Sequence, residues 1–232
     1  MPVGETAERT RGPAAVARVL SVNIGRPRPN PWMRLPTTGI DKRPVAGPVA
    51  VAAPGPKGTG AVGLAGDRVY DVANHGGDDQ AVYAYAREDL DGWQRELGRP
   101  LADGSFGENL TTAGIDVNAA LIGERWRIGS AVLEVSCPRI PCATFAGWLD
   151  ERGWTRRFVR AALPGPYLRV VEPGELAAGD RIAVVARPGH GVTVELCFRA
   201  FTAEPELLPL LAEVEALPAE DRAQVRRRLG LP

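Results

Sequence analysis

A cysteine enclosed by prolines is the residue of this sequence with the most evident chemical potential. Residues 136–142 read Ser-Cys-Pro-Arg-Ile-Pro-Cys and follow the apolar run 131–135. Two prolines stiffen the turn in which this strand ends, so Cys142 is expected to be held in one place and direction. Arg139 and the backbone N–H groups of a following helix would lower the pKa of its thiol. A thiolate held this way suits a metal ligand or a nucleophile.

Several interpretations of Cys142 stay open from the residues alone. A free cysteine is most often a small buried hydrophobic residue. Zinc is disfavoured, because the sequence has no CxxC pair and few further soft ligands. The other cysteines and the histidines are Cys137, Cys197, His75 and His190. A cysteine–histidine hydrolase is an alternative, although no histidine carries a local signature. A metal bound here would need ligands from elsewhere, such as an organic cofactor.

Two glycine-containing motifs offer further candidates. In residues 74–82 (NHGGDDQAV), His75 is followed by Gly76 and Gly77, whose backbone could approach a ligand and bind an anion. The same glycines could simply form a turn before a strand. Residues 106–110 (FGENL) are equally open between a turn and an amide and carboxylate displayed at the end of a strand.

Composition excludes several functional classes. The 28 basic and 28 acidic side chains balance, which argues against nucleic acid as a partner. No uncharged apolar run is long enough to cross a membrane, and the N-terminus has no apolar signal region. Three cysteines, an odd number, argue against a secreted disulfide scaffold, so the expected location is the cytoplasm.

Short apolar runs between abundant glycines and prolines predict a mainly β fold with peripheral helices, arranged as a closed or nearly closed β-barrel. The predicted strands are 18–24, 45–52, 80–85, 125–128, 131–136, 167–172 and 181–186. The predicted helices are 87–98, a pair after Cys142 with a break near Gly153, 207–214, and one starting at Pro218. The predicted organisation is a disordered tail over 1–17, a barrel domain over 18–190 and a short helical extension over 191–232.

An ordered series of motifs resembles the MOSC domain family, named after the C-terminal domain of molybdenum cofactor sulfurase. The motifs are Gly66-Asp67, Asn74-His75-Gly76-Gly77, 81–85, Trp93, 106–110, 122–124, 137–142, 167–170 and Gly179-Asp180. Their details are most similar to the bacterial YiiM-like branch, over roughly residues 18–186. The resemblance implies a MOSC-type β-barrel core, in agreement with the predicted strands.

The resemblance also implies a cofactor and a site. Family members bind, or are thought to bind, a pterin-based molybdenum cofactor, and the cysteine after Pro-Arg-x-Pro ligates the metal. That cysteine is Cys142 here, with the remaining sulfurs supplied by the pterin. The implied cofactor contacts are Lys42, Gly76, Gly77, Arg139 and Arg169. His75 and Asn109 are implied to line the pocket, with His75 a candidate proton donor in catalysis.

The implied activity is reduction of N-hydroxylated or related N-oxygenated small molecules. The sequence has no iron–sulfur cysteine run and no nucleotide fingerprint, so electrons are expected from a separate reductase. The alternative function is a cofactor or sulfur carrier that does not turn over substrate. Pyridoxal-phosphate sulfurase activity belongs to a different domain of larger relatives. A homodimer is compatible with the sequence, which does not define the oligomeric state.

Two positions depart from the family pattern. Cys137 stands where relatives commonly have a polar residue, and it could either form a disulfide with Cys142 or sit inertly on the strand. Gln80 stands where a basic residue is frequent, which would remove one cofactor contact.

Overall fold

The computed structural model describes residues 16–231, so the predicted tail lies almost entirely outside the described residues. Ten strands and five α-helices lie within the described range. The strands are β1 (Arg18–Pro29), β2 (Thr37–Pro44), β3 (Val49–Val51), β4 (Val82–Ala86), β5 (Leu110–Ala113), β6 (Arg125–Ile128), β7 (Ala131–Pro138), β8 (Pro166–Glu172), β9 (Gly174–Leu176) and β10 (Ile182–Ala186). The α-helices are α1 (Arg87–Leu97), α2 (Ala143–Leu149), α3 (Trp154–Ala161), α4 (Val194–Thr202) and α5 (Ala219–Leu229).

One mixed sheet dominates the fold. Its strand order is β10-β6-β7-β8-β4-β5-β1-β2, and β3 pairs with β9 in a separate small sheet. Neighbours in the large sheet are antiparallel except β4 and β5, which are parallel. Every residue of β7 is buried, as expected for a central strand covered on both faces. The sequence prediction of a sheet-dominated fold with peripheral helices is confirmed.

The prediction of a barrel is wrong, because the sheet is not closed. The first five residues of β1 lie against β5, whereas the rest of β1 pairs with β2. The second half of β1 therefore leaves the main sheet as a hairpin, and β2 and β10 remain edge strands. An isolated bridge between Arg18 and Arg181, with three backbone hydrogen bonds around it, joins the start of β1 to residues 179–182 without forming a strand ladder.

Helices cover one side of β4 and form an aromatic cluster with it. Trp93 of α1 and Trp154 of α3 lie edge to face, with ring centroids 4.7 Å apart, and edge-to-face contact is a favoured aromatic arrangement. The buried aromatic residues of the cluster are Tyr83, Tyr85, Trp93, Phe106, Phe145, Trp154, Phe158 and Phe198. Phe145 belongs to the first turn of α2, so the cluster fixes the helix that begins directly after Cys142.

The C-terminal residues pack on the main core. The 3-10 helix Pro205–Leu211 and α5 follow α4, and Leu208, Leu211 and Val225 are buried in the core around the sheet. Periodicity had predicted an α-helix over 207–214, but Pro209 lies inside this segment and cannot donate a backbone hydrogen bond. Among the described residues, no helix has the length and apolar character needed to cross a bilayer.

Candidate functional site

Six of the eight site residues predicted from the sequence line one cavity. The cavity lies between β2, residues 61–81, the end of β7 and the first turn of α2. The six residues are Lys42, His75, Gly76, Asn109, Arg139 and Cys142. They come from four separate parts of the chain, and the fold of the sheet and hairpin brings them together. Gly77 and Arg169 do not line this cavity.

Cys142 is the N-cap residue of α2 and is partly buried. Its burial alone would raise the pKa of the thiol. A hydrogen bond from His75 and the positive charge of Arg139 act in the opposite direction, and the backbone N–H of Phe145 adds to them. Together they lower the pKa of Cys142 to about 7. A large fraction of this thiol is therefore thiolate at neutral pH, the form that binds metal or attacks an electrophile.

This pKa predicts how Cys142 reacts with iodoacetamide in cofactor-free protein. The alkylation rate should rise with pH around a midpoint of about 7, because the thiolate is the nucleophile. In His75→Ala the midpoint should move upward, since the thiolate loses a hydrogen-bond donor. Mass spectrometry of the alkylated peptide would give the rate at each pH. A midpoint above about 8.5, the ordinary value of a free thiol, would contradict the geometry described here.

Arg139 is a buried cation without a carboxylate partner. It is 6 % exposed, and among residues 16–231 no carboxylate forms an ion pair with it. Its guanidinium carbon lies 4.5 Å from the ring centroid of Phe145 and 5.0 Å from that of Tyr83. One terminal nitrogen donates to Tyr167 Oη at 3.4 Å, whereas Nε has no partner among the described residues. A buried charge left this way is costly, so the site is suited to an anion.

Lys42 is a less available cation, because Asp67 neutralises it. Lys42 Nζ donates to both carboxylate oxygens of Asp67, at 2.7 and 2.5 Å, and both side chains are largely buried. Asp67 also accepts from the backbone N–H of Gly25 at 2.7 Å. Burial would raise the pKa of Asp67, but the charge of Lys42 and these hydrogen bonds lower it. This pair forms a neutral wall of the cavity.

Asn109 fixes the position of Asp67 in that wall through hydrogen bonds. Its Nδ2 donates to Asp67 Oδ2 at 2.8 Å and to the backbone oxygen of Asn23 at 3.2 Å. Its Oδ1 accepts from the backbone N–H of Tyr83 at 3.1 Å. Both ends of the amide are therefore used within the protein. The geometry favours a positioning role for Asn109 over the direct ligand contact expected from the resemblance.

The two glycines after His75 bend the chain beside the cavity. Gly76 and Gly77 have φ angles of 84° and 76°, a region that favours glycine. The N–H of Gly76 donates to Gln80 Oε1 at 3.2 Å. A Cβ atom at Gly77 would lie 2.7 Å from Lys57 N, so Gly77 packs against the loop around Lys57. His75 and Gly76 thus line the cavity with Cys142, whereas Gly77 does not.

Arg169 lies away from the cavity, in contrast to the predicted cofactor contact. Its Nε and one terminal nitrogen donate to Asp79 Oδ1 at 2.9 and 2.6 Å. Its other terminal nitrogen donates to Glu134 at 2.8 Å and to the backbone oxygen of Ala216 at 2.9 Å. All its nitrogens are thus engaged. Arg169 ties β8 to β7 and to the C-terminal residues.

Cys137 is a buried structural residue. It is 5 % exposed, lies opposite Tyr167 in the pairing of β7 with β8, and is a free thiol, as is Cys142. The pKa of the Cys137 thiol is raised well above its ordinary value, mainly because the side chain is buried. A neutral buried thiol is inert. The fold therefore distinguishes the two cysteines of the motif, and Cys142 is the one that faces the cavity.

Sequence reasoning missed several residues of the cavity. Asp67 is not among the predicted site residues, although Gly66-Asp67 is among the motifs of the resemblance. Asn30, Thr144 and Tyr167 also line the cavity. Tyr167 belongs to the motif 167–170, whereas nothing in the local sequence of Asn30 or Thr144 indicates a place in the site. No group of three or more His, Cys, Asp or Glu side chains within residues 16–231 could hold a metal by itself. A metal at Cys142 would therefore need ligands that the chain does not supply.

Comparison with known proteins places this chain in a family. The MOSC domain family matches residues 71–183. YflK of Bacillus subtilis, described as an uncharacterized protein, is 34% identical over 182 residues, or 78% of this chain and 79% of YflK. A protein of Gibberella moniliformis named "Reductase" is 30% identical over 205 residues, which are 84% of this chain and 36% of the fungal protein. This chain thus spans about a third of that reductase.

A solved structure extends the likeness to almost the whole fold. The crystal structure of YiiM from Geobacillus stearothermophilus superposes with a TM-score of 0.74 at 28% sequence identity, covering 92% of this chain and 99% of that one. The likeness to YiiM expected from the motifs is confirmed. With the matched motifs and the YflK similarity, it shows that this chain belongs to the MOSC domain family, which is associated with molybdenum cofactor binding.

Proposed function

We propose that this protein binds a molybdenum cofactor through Cys142 and reduces small molecules that carry an N–OH or related N–O group. The observation that carries the proposal is the pairing of Cys142, a thiol with a pKa of about 7, with Arg139, a buried cation whose Nε has no hydrogen-bond partner among the described residues. The family association and the relative named "Reductase" support it. Such a thiolate is a soft ligand suited to a metal whose other ligands are sulfur.

The residues of the cavity fit a cofactor that is anionic. Arg139 offers an Nε donor without a partner among the described residues, and within that range no carboxylate pairs with its charge. Cys142 offers one sulfur, and the cavity wall of Lys42 and Asp67 carries no net charge to repel an anion. In this proposal Cys142 ligates the metal and Arg139 donates to an anionic group of the pterin. When bound, the cofactor supplies the two-electron redox chemistry that the side chains lack.

The overall reaction requires two electrons and two protons. An N-hydroxylated substrate R–NH–OH becomes R–NH₂ and water. His75 lines the cavity with Cys142 and lowers the pKa of its thiol, so its imidazole would be the candidate to donate a proton to the departing oxygen. The electrons come from a separate reductase in this proposal. Tyr83 and Tyr167 also line the cavity.

A turnover experiment separates an enzyme from a carrier. Protein purified from a molybdenum-replete host is mixed anaerobically with an N-hydroxylated purine and reduced methyl viologen, and the amino product is quantified by chromatography. We expect product in proportion to the bound molybdenum, and His75→Ala should reduce the rate by about 10²-fold if it donates the proton. Metal-loaded protein that forms no amine would favour a carrier of cofactor or sulfur.

A further inference from the structure

Unpaired polar atoms are concentrated in the cavity. Among the described residues, three buried side-chain nitrogen or oxygen atoms have no hydrogen-bond partner, and two of them belong to residues of this cavity. One is Nε of Arg139, discussed above. The other is Oδ1 of Asn30, a residue that is only 7% exposed. Buried polar groups are almost always paired, so the amide of Asn30 requires an explanation of its own.

Asn30 is held in place beside the helix that begins after Cys142. Its Nδ2 donates to Thr144 Oγ1 at 3.4 Å, and Thr144 is the second residue of α2. Its backbone N–H donates to the backbone oxygen of Pro36 at 2.9 Å, which closes the loop between β1 and β2. The amide is thus fixed at its nitrogen end, whereas its Oδ1 has no partner among the described residues and belongs to a residue that lines the cavity.

The loop itself is anchored on the same helix. A Cβ atom at Gly147 of α2 would lie 2.2 Å from Cγ of Trp32, so the indole of Trp32 lies directly on the backbone of Gly147. This contact leaves the loop little freedom to move relative to α2. A preorganised acceptor loses less freedom when a ligand binds than a mobile one does.

We propose that Asn30 is a ligand-recognition residue of the cavity, whose Oδ1 accepts a hydrogen bond from an N–H or O–H group of the molecule bound beside Cys142. Arg139 and Asn30 then recognise opposite features, since Arg139 donates to an anionic or acceptor group and Asn30 accepts from a donor group. An N-hydroxylated base carries such donors at its reacting nitrogen, and a pterin carries N–H groups on its ring. This inference depends on the proposed function only for the identity of the ligand.

Binding and metal content distinguish the two sources of the donor. Holoprotein is titrated by calorimetry with an N-hydroxylated purine and with its N-methyl, O-methyl derivative, which lacks the donors at the reacting nitrogen. If the donor is on the substrate, Asn30→Leu should weaken binding of the N-hydroxylated purine about tenfold and that of the blocked derivative less than about twofold. If the donor is on the pterin, Asn30→Leu should instead lower the molybdenum bound per protein.

Two further variants exclude a merely structural effect. Asn30→Asp keeps an acceptor oxygen at the same place and should retain the discrimination between the two purines. Thr144→Val removes the hydrogen bond that fixes Nδ2 of Asn30 but leaves Oδ1 of Asn30 in the cavity wall. This variant should therefore also bind the N-hydroxylated purine more tightly than the blocked derivative. The thermal unfolding midpoint of each variant shows whether it is folded.

The proposal is overturned if folded Asn30→Leu keeps wild-type molybdenum content and binds both purines as the wild type does. It is also overturned if Thr144→Val reproduces every effect of Asn30→Leu, because the tie to α2 would then be sufficient. Wild-type protein without molybdenum would contradict the proposed function instead. The same two titrations would then be made with the cofactor-free protein, and the comparison of wild type with Asn30→Leu would still decide whether Asn30 accepts a hydrogen bond from the purine.

Discussion

Replacing Arg139 by methionine should make the cofactor-free protein more stable and, at the same time, unable to retain the cofactor. The guanidinium is buried and has no carboxylate partner, and a methionine side chain of similar length would fill the space without a charge. We expect a net rise in the free energy of unfolding of about 1–3 kcal/mol. This value already subtracts the lost contacts with the rings of Tyr83 and Phe145. Retention of the cofactor should fall about 10- to 100-fold.

The stability gain should depend on pH in a defined direction. The pKa of Cys142 is lower in the folded protein than in the unfolded chain, so its thiolate contributes stability at high pH that is lost as pH falls through about 7. Part of that contribution comes from Arg139 and disappears in the methionine variant. Arg139→Met should therefore gain more at pH 6 than at pH 9. Urea unfolding of the cofactor-free proteins at the two pH values would measure both quantities.

Arg169 provides the matched control. Its guanidinium is bound by Asp79 and Glu134, so Arg169→Met should destabilise the protein, since it leaves carboxylates without their partner. It should not change the affinity for the cofactor beyond what the loss of stability explains. An Arg139→Met protein that is less stable than wild type, or that keeps its cofactor, would contradict the interpretation of Arg139 as an anion-binding residue.

The difference between these two arginines shows where sequence reasoning stops. Both were expected at the cofactor, because both lie within motifs of the family resemblance. Their surroundings depend on strand pairing: Glu134 faces Arg169 across β7 and β8, whereas Arg139 lies beyond the last pair of that ladder. Long-range pairing of this kind has no signature in the local sequence. Cys142 was predictable because its restraint is local, from two prolines and the helix that follows.

The elements of the fold show the same division. The helix α1 and the strand β6 follow from periodicity, and β6 spans the predicted residues 125–128. The strand β2 was missed because its buried residues include Thr38 and Asp41, so it lacks an apolar pattern. Thr38 lines the cavity, and Asp41 pairs with Arg28 and Arg43. Whether the sheet closes into a barrel could not be predicted from the sequence, because it depends on the two halves of β1 pairing with different strands.

We expect Cys142, and not its neighbour Cys137, to hold the metal. Cys142 faces the cavity with a pKa of about 7, whereas Cys137 is buried within the sheet and its raised pKa keeps it protonated. Replacing Cys142 by alanine should therefore abolish molybdenum binding. Replacing Cys137 by alanine removes one sulfur from the core and should cost some stability, but the ligand remains.

The most direct test is the molybdenum and pterin content of three proteins purified from a molybdenum-replete host. The wild type and Cys137→Ala should each contain close to one molybdenum per chain, and Cys142→Ala should contain almost none, with all three folded by circular dichroism. Equal metal content in all three proteins, or a wild type that contains neither molybdenum nor pterin, would contradict the account.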